Sequence, residues 1–425
     1  MLDTVARRRS EAGISRPPIA VVGTGLAGLS TALALAELGV ETVLVGPRPT
    51  AARASLDTRS TALFGPSIDL LDRLGVLPRL EPPPVPLAGL RLVDATGSVF
   101  RAPEVLFEAK ELGVPAFGMN IENHALLAAL SGRTRASPRV VWHEASAVSV
   151  GAGGETASVE LADGTRLETA LVVGADGERS LCRKAAGIGD RSRQYPQAAI
   201  AGRFRHQRPH AAVSTELHRR AGPLTTVPLA GDWSSLVWVE KPDVVDGLLG
   251  LDDRAFARKL EEALAGILGR VLSVSPRASF PLSVVTADRL GDHRIALVGE
   301  AAHRLPPIGA QGLNLGLRDA AWLAELVADA VTAGGDPGSQ DVLDAYDRIR
   351  RSDVVSRTAA VDALNWSLVA DWLPADFARG AGLAALKAIG PLRRLIMREG
   401  MSPSGALPRL MQPRVSAEDG SKARA

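Results

Sequence analysis

Glycines at 23, 25 and 28, a carboxylate at Asp176, and a loop from Glu300 to Gly316 carrying His303, Pro306 and Pro307 are the residues whose types and spacing could do chemistry. In Gly23-Thr-Gly25-Leu-Ala-Gly28 the first glycine permits a tight turn. The second lets main chain approach a pyrophosphate, and the third lets a helix pack close on a strand. In the later loop, Pro306 and Pro307 fix φ, while Gly309, Gly312 and Gly316 carry no Cβ, so backbone can meet a flat ligand at van der Waals distance. A helix opening from such a loop turns free N–H groups and a positive dipole end toward that ligand, which suits an anionic or electron-rich group.

The surrounding elements place these residues. Ile19-Ala-Val-Val22 reads as a short buried strand, Leu29, Ala32, Leu33 and Ala36 as a helical stripe ending at Gly39, and Thr42 to Val45 as a second strand. This βαβ context makes the glycine fingerprint a dinucleotide site. One element is missing: the acid that grips a ribose about 20 residues on should stand where the chain has Gly46-Pro47. Leu171 to Gly174 delivers Asp176 to the carboxyl end of another buried strand, the ligand edge of a parallel sheet, and Gly177 allows a sharp turn there. Ile295 to Val298 forms a strand before the loop, and a helix is expected from about Asn314, stopped by Gly334-Gly335. A helix is also expected from Pro66 to Leu74, and an antiparallel platform over Ala199 to Glu240 whose apolar side roofs the site.

The segment Gly299-Glu-Ala-Ala-His303, followed by Pro306-Pro307 and Gln311-Gly-Leu-Asn314, resembles the signature of the ubiquinone-biosynthesis hydroxylases, a group within the FAD-dependent aromatic-ring monooxygenases. Asp57-Thr-Arg59-Ser-Thr-Ala-Leu63 and Ala175-Asp176-Gly177-x-x-Ser180-x-x-Arg183 resemble the same group, and the likeness runs from about Ile19 to Met401. The resemblance implies an α/β fold: a Rossmann-type FAD-binding domain (18–88, 118–190 and 285–345), an inserted antiparallel-sheet substrate domain (89–117 and 191–284) and a C-terminal helical region (346–412). Disordered segments are expected at 1–17 and 413–425.

By the same resemblance, Gly23, Gly25, Gly28, Arg59, Asn123, Asp176, Gly177, Glu300, Pro307, Gly309, Gly312 and Asn314 would contact FAD. Glu300 would meet the ribityl chain, and Pro307 to Asn314 would wrap the pyrophosphate and ring edge. NADH or NADPH would visit as a transient electron donor, since no second strand-GxGxxG-helix exists. Reduced flavin and dioxygen would then hydroxylate a prenylated phenol. A general base would raise the phenol's electron density, and the sequence does not name it. His303 is open between that role and satisfying main chain. Cys182 reads as a packing residue rather than a nucleophile.

Composition narrows the rest. The 425 residues are 46% hydrophobic and 23% charged, with a net charge of +2 and 4% aromatics. That is a globular enzyme-sized chain with no basic, stacking surface for nucleic acid. One cysteine supports neither a disulfide framework nor a Cys-ligated metal site, and no metal is expected. The expected location is cytoplasmic, with a peripheral contact either to the inner membrane or to a biosynthetic complex. The helix from Leu383 to Met397, with Leu392, Leu395 and Ile396 on one face beside Arg393, Arg394 and Arg398, reads either as docked on the first domain or as meeting a membrane or a prenyl tail. Two alternatives stand beside the leading reading: an FAD-dependent hydroxylase of a small soluble aromatic compound, and a non-catalytic flavin-fold scaffold in a biosynthetic complex, the latter motivated by Gly46.

Overall fold

The computed structural model describes residues 17–50, 57–97, 103–307, 309–369, 381–382, 384–401 and 405–413; the side chains of 364–369 are not described. Apart from Pro17 and Pro413, the expected disordered termini lie outside the described residues.

The chain opens as its apolar pattern dictates. Strand β1 (Ile19–Val22) is buried along its whole length and passes through the glycine turn into α1 (Leu26–Glu37), which returns to β2 (Thr42–Val45). After the undescribed residues 51–56 come β3 (Ser60–Phe64) and α2 (Gly65–Arg73), the latter opened by Pro66, a residue preset for a first helical turn. Strands β4 (Gly89–Asp94) and β5 (Val105–Glu108) leave for a second sheet, and β6 (Gly118–Glu122) comes back to pair with β3. Helix α3 (Asn123–Arg135), β7 (Val140–His143), β8 (Leu171–Gly174) and the short α4 (Leu181–Ala185) complete this half.

Then follow β9 (Asp190–His206), β10 (Val213–His218), β11 (Leu224–Pro228) and β12 (Trp233–Glu240), helices α5 (Pro242–Leu249) and α6 (Asp253–Ala263), and β13 (Ala278–Ala287). Strand β14 (Ile295–Leu297) leads through the Pro/Gly loop to α7 (Gln311–Thr332), α8 (Gln340–Val369) and α9 (Gly390–Met401).

Two sheets organise the molecule. In the first, the order is Gly291–Asp292, β14, β8, β1, β2, β7, all parallel except the edge pair Gly291–Asp292 with β14. Its central strands are unbroken apolar runs because both faces are covered. In the second, the order is His303–Arg304, β13, β9, β12, β11, β10, β4, β5, with Val271–Val274 pairing beside β9. Its two halves meet where β10 pairs with β4 in parallel, Val213 against Gly89 through His218 against Asp94. The platform is thus wider than the expected 199–240 run, because β4, β5 and β13 join it from distant parts of the chain.

Three small residues lock the parallel sheet's helices together. A Cβ on Gly316 of α7 would lie 3.2 Å from the Gly299 Cα, and one on Gly299 would lie 2.9 Å from the Ala27 Cβ of α1. The two helices therefore run with their N-terminal turns side by side.

Two expectations need correction. Helix α7 begins at Gln311, not near Asn314: Gly309 and Ala310 are both left-handed, with φ of +64° and +53°, and this double turn reverses the chain three residues early. The C-terminal helix α9 does not dock on the first domain through Leu392, Leu395 and Ile396. It packs Met397 against Val105, Phe107 and Phe117, next to the β5 edge, and Arg393 pairs with Glu111 at 2.5 Å. Leu395 and Ile396 stay exposed at 56% and 46%.

Candidate functional site

A cleft of about 2570 Å³ is lined by the turns that follow β1, β2, β8 and β14 and by residues of the second sheet. Pockets for single small ligands run to roughly 300–1,000 Å³, so this one has room for a large cofactor and a second molecule. Its position at the carboxyl ends of the parallel strands is the ligand edge of an α/β sheet.

The glycine turn divides its three tasks as the spacing implies. Gly23 has φ of +116°, and a Cβ there would lie 2.2 Å from the Ala175 carbonyl oxygen. On Gly28 a Cβ would meet the Gly23 carbonyl oxygen at 2.0 Å, which is the helix-on-strand contact, and Gly28 is buried behind the wall. Gly25 lines the cleft, and a Cβ there would meet nothing within 4 Å. The open space at Gly25 and the first turn of α1, which has neither side-chain cap nor acidic residue, fit a pyrophosphate.

At Gly46 the missing acid has a steric cause. The residue has φ of +142°, a Cβ would lie 2.9 Å from Thr24 Cγ2, and its carbonyl accepts a hydrogen bond from Trp142 Nε1 at 2.9 Å. Arg48, just beyond, lines the cleft and pairs with Glu144 at 2.7 Å.

Arg59 and Asn123 come together at Asp57. The Arg59 Nε and Nη2 each donate to that carboxylate at 2.8 Å, and the guanidinium lies over the Phe280 ring, 5.1 Å from its centre. The hydrogen bond to Asp57 holds Arg59 above its ordinary pKa against the effect of burial, and the nearby Glu300 charge adds to this. Asn123 opens α3, accepts from Thr61 Oγ1 at 2.7 Å and reaches Asp57 with its amide nitrogen at 3.4 Å. All three line the cleft.

Asp176 lines the cleft too, but its carboxylate is engaged by its own segment: Oδ1 accepts from Ser180 Oγ at 2.5 Å and Oδ2 from the Cys182 N–H at 3.0 Å. Gly177 makes the expected sharp turn with φ of +81°. Arg183 donates to the Ala301 and Glu178 carbonyls, each at 2.8 Å, so the motif clamps the turn after β8 to the turn after β14. Cys182 is fully buried. Burial, with the Asp176 charge beside it, pushes its thiol pKa well up, and it packs rather than reacts.

Of the later loop, Glu300, Pro307, Gly309 and Gly312 line the cleft, and Glu300 is exposed in it. Asn314 departs from expectation. It is 1% exposed and its amide is saturated: Oδ1 accepts from the Phe64 N–H and Ser67 Oγ, and Nδ2 donates to the Ala62 and Ala310 carbonyls. It staples α7 to β3 and α2 from behind the cleft wall. His303 lines the cleft with Nε2 2.6 Å from Asp319 Oδ2. Asp319 in turn receives Arg350 Nε at 2.8 Å and the Gly299 N–H at 3.1 Å. Beyond it, Asp353 bonds Arg318, Arg350 and Arg357 at the cleft wall.

Sequence reasoning passed over Glu216 and His218 of β10, which also line the cleft. The available signal was an acid and a histidine two residues apart within Val-Ser-Thr-Glu-Leu-His, a spacing that puts both on one face of a strand. Among the described residues, no cluster suits a metal ion and no helix is long and apolar enough to cross a membrane.

The family described as an FAD binding domain matches residues 16–361. The chain is 38% identical to the ubiquinone hydroxylase UbiL of Rhodospirillum rubrum over 388 residues, which cover 90% of this chain and 89% of that protein. It is 29% identical to the 3-demethoxyubiquinol 3-hydroxylase of Escherichia coli over 385 residues, 89% of this chain and 97% of that protein. Among solved structures, p-nitrophenol 4-monooxygenase PnpA from Pseudomonas putida matches with a TM-score of 0.73 and 22% identity, covering 92% of this chain and 99% of that one, a likeness of fold.

Proposed function

The chain belongs to the FAD-binding family that contains the ubiquinone hydroxylases, and on that premise we propose that it hydroxylates the aromatic ring of a prenylated phenol in ubiquinone biosynthesis, with NADH or NADPH as electron donor and dioxygen as oxygen source. It is an FAD-dependent monooxygenase. The observation that carries the reading is one continuous cleft with a dinucleotide turn at one end and an apolar wall at the other, where Leu90, Leu92, Phe107, Leu386, Met397 and Met401 stand. An apolar wall of these six side chains suits a prenylated ring better than a small soluble acid.

When bound, FAD supplies the redox chemistry that passes electrons from nicotinamide to dioxygen. The protein's own share is to hold, orient and exclude water. Gly23 and Gly25 would bring main chain and the α1 N-terminus to the pyrophosphate. Glu300 would meet the ribityl chain, Arg59 would stand near the flavin and pyrophosphate, and Pro307, Gly309 and Gly312 would shape a stiff wall for the ring, while Gly28 and Asn314 act from behind by fixing helix positions. Residues 18–88, 118–190 and 285–345 serve the cofactor, and 89–117 and 191–284 roof the substrate. A membrane contact is supported by the exposed Ile389 and Leu395 on and beside α9, with Arg394 and Arg398 close in sequence.

The test is the visible spectrum of the purified protein, then NAD(P)H oxidation with 2-farnesylphenol and with 4-hydroxybenzoate. Bound flavin, stimulation by the farnesyl phenol and a product heavier by one oxygen are expected. Stimulation by the soluble acid alone would replace the substrate class, and protein that takes up no FAD would overturn the enzyme reading.

A further inference from the structure

Strand β10 divides its side chains between two environments. Leu217 packs with Phe204, Trp238 and Phe256 in a core beneath the sheet, whereas Ser214, Glu216 and His218 line the cleft. The side-chain period of two puts the carboxylate and the imidazole on the same face. His218 Nε2 lies 2.9 Å from Glu216 Oε1, with side-chain exposures of 4% and 9%. A carboxylate only accepts, so Nε2 carries a hydrogen, and in that tautomer of the uncharged ring Nδ1 is the acceptor. That Nδ1 is buried and, among the described residues, has no hydrogen-bond partner. Proteins satisfy most of their buried polar atoms, so an orphaned ring nitrogen on a residue of the cleft wall, a feature His218 shares with His303, points to a donor brought by a ligand.

The surroundings agree. Across the ladders Glu216 stands opposite Leu92 of β4 and Thr225 of β11, and His218 stands opposite Asp94, whose Oδ1 holds the Thr96 N–H and hydroxyl. Arg219 pairs with Glu240 and stacks on Trp238, and Arg220 donates to the Thr96 carbonyl. His303, the other cleft histidine, shares its carboxylate with Arg350 and the Gly299 N–H, beside the turns assigned to the cofactor. Glu216 and His218 instead sit on the apolar roof, four strands along the sheet from β13.

We propose that His218 is the general base that accepts the proton of the phenolic substrate, and that Glu216 is a positioning residue that fixes the ring's tautomer. The assignment rests on the hydroxylase reading above. In the step, the phenolic O–H bond breaks as Nδ1–H forms, and the electron pair stays on oxygen and enriches the ring. Glu216 balances the imidazolium charge, and the proton returns to the product oxygen after the ring has lost its own hydrogen.

The experiment compares flavin-loaded wild type, His218→Asn, Glu216→Gln and His303→Asn with 2-farnesylphenol, scoring product formed, product per NAD(P)H consumed, and the rate against pH. Visible spectra check flavin loading. His218→Asn is expected to lose about 10²-fold in product rate at neutral pH, the lower end of general-base contributions. It should also consume NAD(P)H unproductively and gain rate as pH rises toward the phenol's own ionisation. Glu216→Gln should move in the same direction by less, and carries the test if the histidine variant does not fold. A flavin-loaded His218→Asn with wild-type rate and profile overturns the assignment, as does a profile change confined to His303→Asn. Wild type that ignores the phenol while holding flavin overturns the substrate reading, and this assignment with it.

Discussion

Arg350 Nε lies 2.8 Å from Asp319 Oδ1 with both side chains out of solvent, at 1% and 0% exposure. Burial works to raise the Asp319 pKa, but His303 and Arg350 beside it hold the carboxyl below its ordinary value. Asp353 is held well below the carboxylate range by Arg350 and Arg318 in the same way. Both groups have folded-state values under the unfolded one, so the stability they contribute is present above about pH 3.9 and is lost as pH falls through the folded values. Acid titration of the apoprotein should show unfolding steepening below that point. Replacing Asp353 with Asn should cost about 3–5 kcal/mol, because three guanidinium groups lose their shared partner. Chemical denaturation at neutral pH checks it.

The same cluster predicts an asymmetry. Burial, reinforced by the like charges of Arg350 and Arg357 against the pull of Asp353, lowers Arg318 to about 10. Arg318→Met should therefore cost far less than Asp353→Asn, within about 1.5 kcal/mol of wild type, since removing a poorly compensated buried cation offsets the lost pair. Midpoints of urea unfolding compare the two directly.

Gly25→Ala and Gly28→Ala should separate binding from folding. At Gly25 the added methyl enters open cleft space with φ of −78°, so stability should stay within about 0.5 kcal/mol while FAD affinity falls. At Gly28 the methyl would collide with backbone, and about 1–3 kcal/mol of destabilisation is expected. Thermal melts with and without added FAD read both.

Asp176→Ala should weaken FAD retention and also loosen the loop, because two hydrogen bonds from Ser180 and Cys182 lose their acceptor. About 1–3 kcal/mol of stability should go with them. A variant that loses flavin with an unchanged melting temperature of the apoprotein would separate the two roles.

Leu395→Glu with Ile389→Glu should reduce sedimentation with anionic vesicles, since both side chains are exposed on and beside α9 and neither lines the cleft, and should leave the flavin spectrum unaltered. Equal sedimentation by variant and wild type would remove this patch as the membrane contact.

Much of the cofactor side could be read along the chain because each piece is local: a buried strand, a glycine turn and a helix occupy one short segment, and their periodicities are unambiguous at Ile19, Leu171 and Ile295. Asn314 shows the limit of that reading. Its residue type and motif position suggested a ligand, but its side chain is committed to Phe64, Ser67 and Ala62, some 250 positions away. The roof was harder for the same reason. The parallel pairing of Val213–His218 with Gly89–Asp94 joins segments that share no local signal, so Glu216 and His218 came to the cleft unannounced. The early start of α7 depended on Ala310 taking a left-handed backbone, which alanine composition does not advertise.

The stack of Ala27, Gly299 and Gly316 bears on the cost of loading the cofactor. Gly316 meets the main chain of Gly299, and Gly299 meets only the Cβ of Ala27, so this contact contains no rotatable side chain. No side-chain entropy is therefore left to lose at this contact when the dinucleotide arrives.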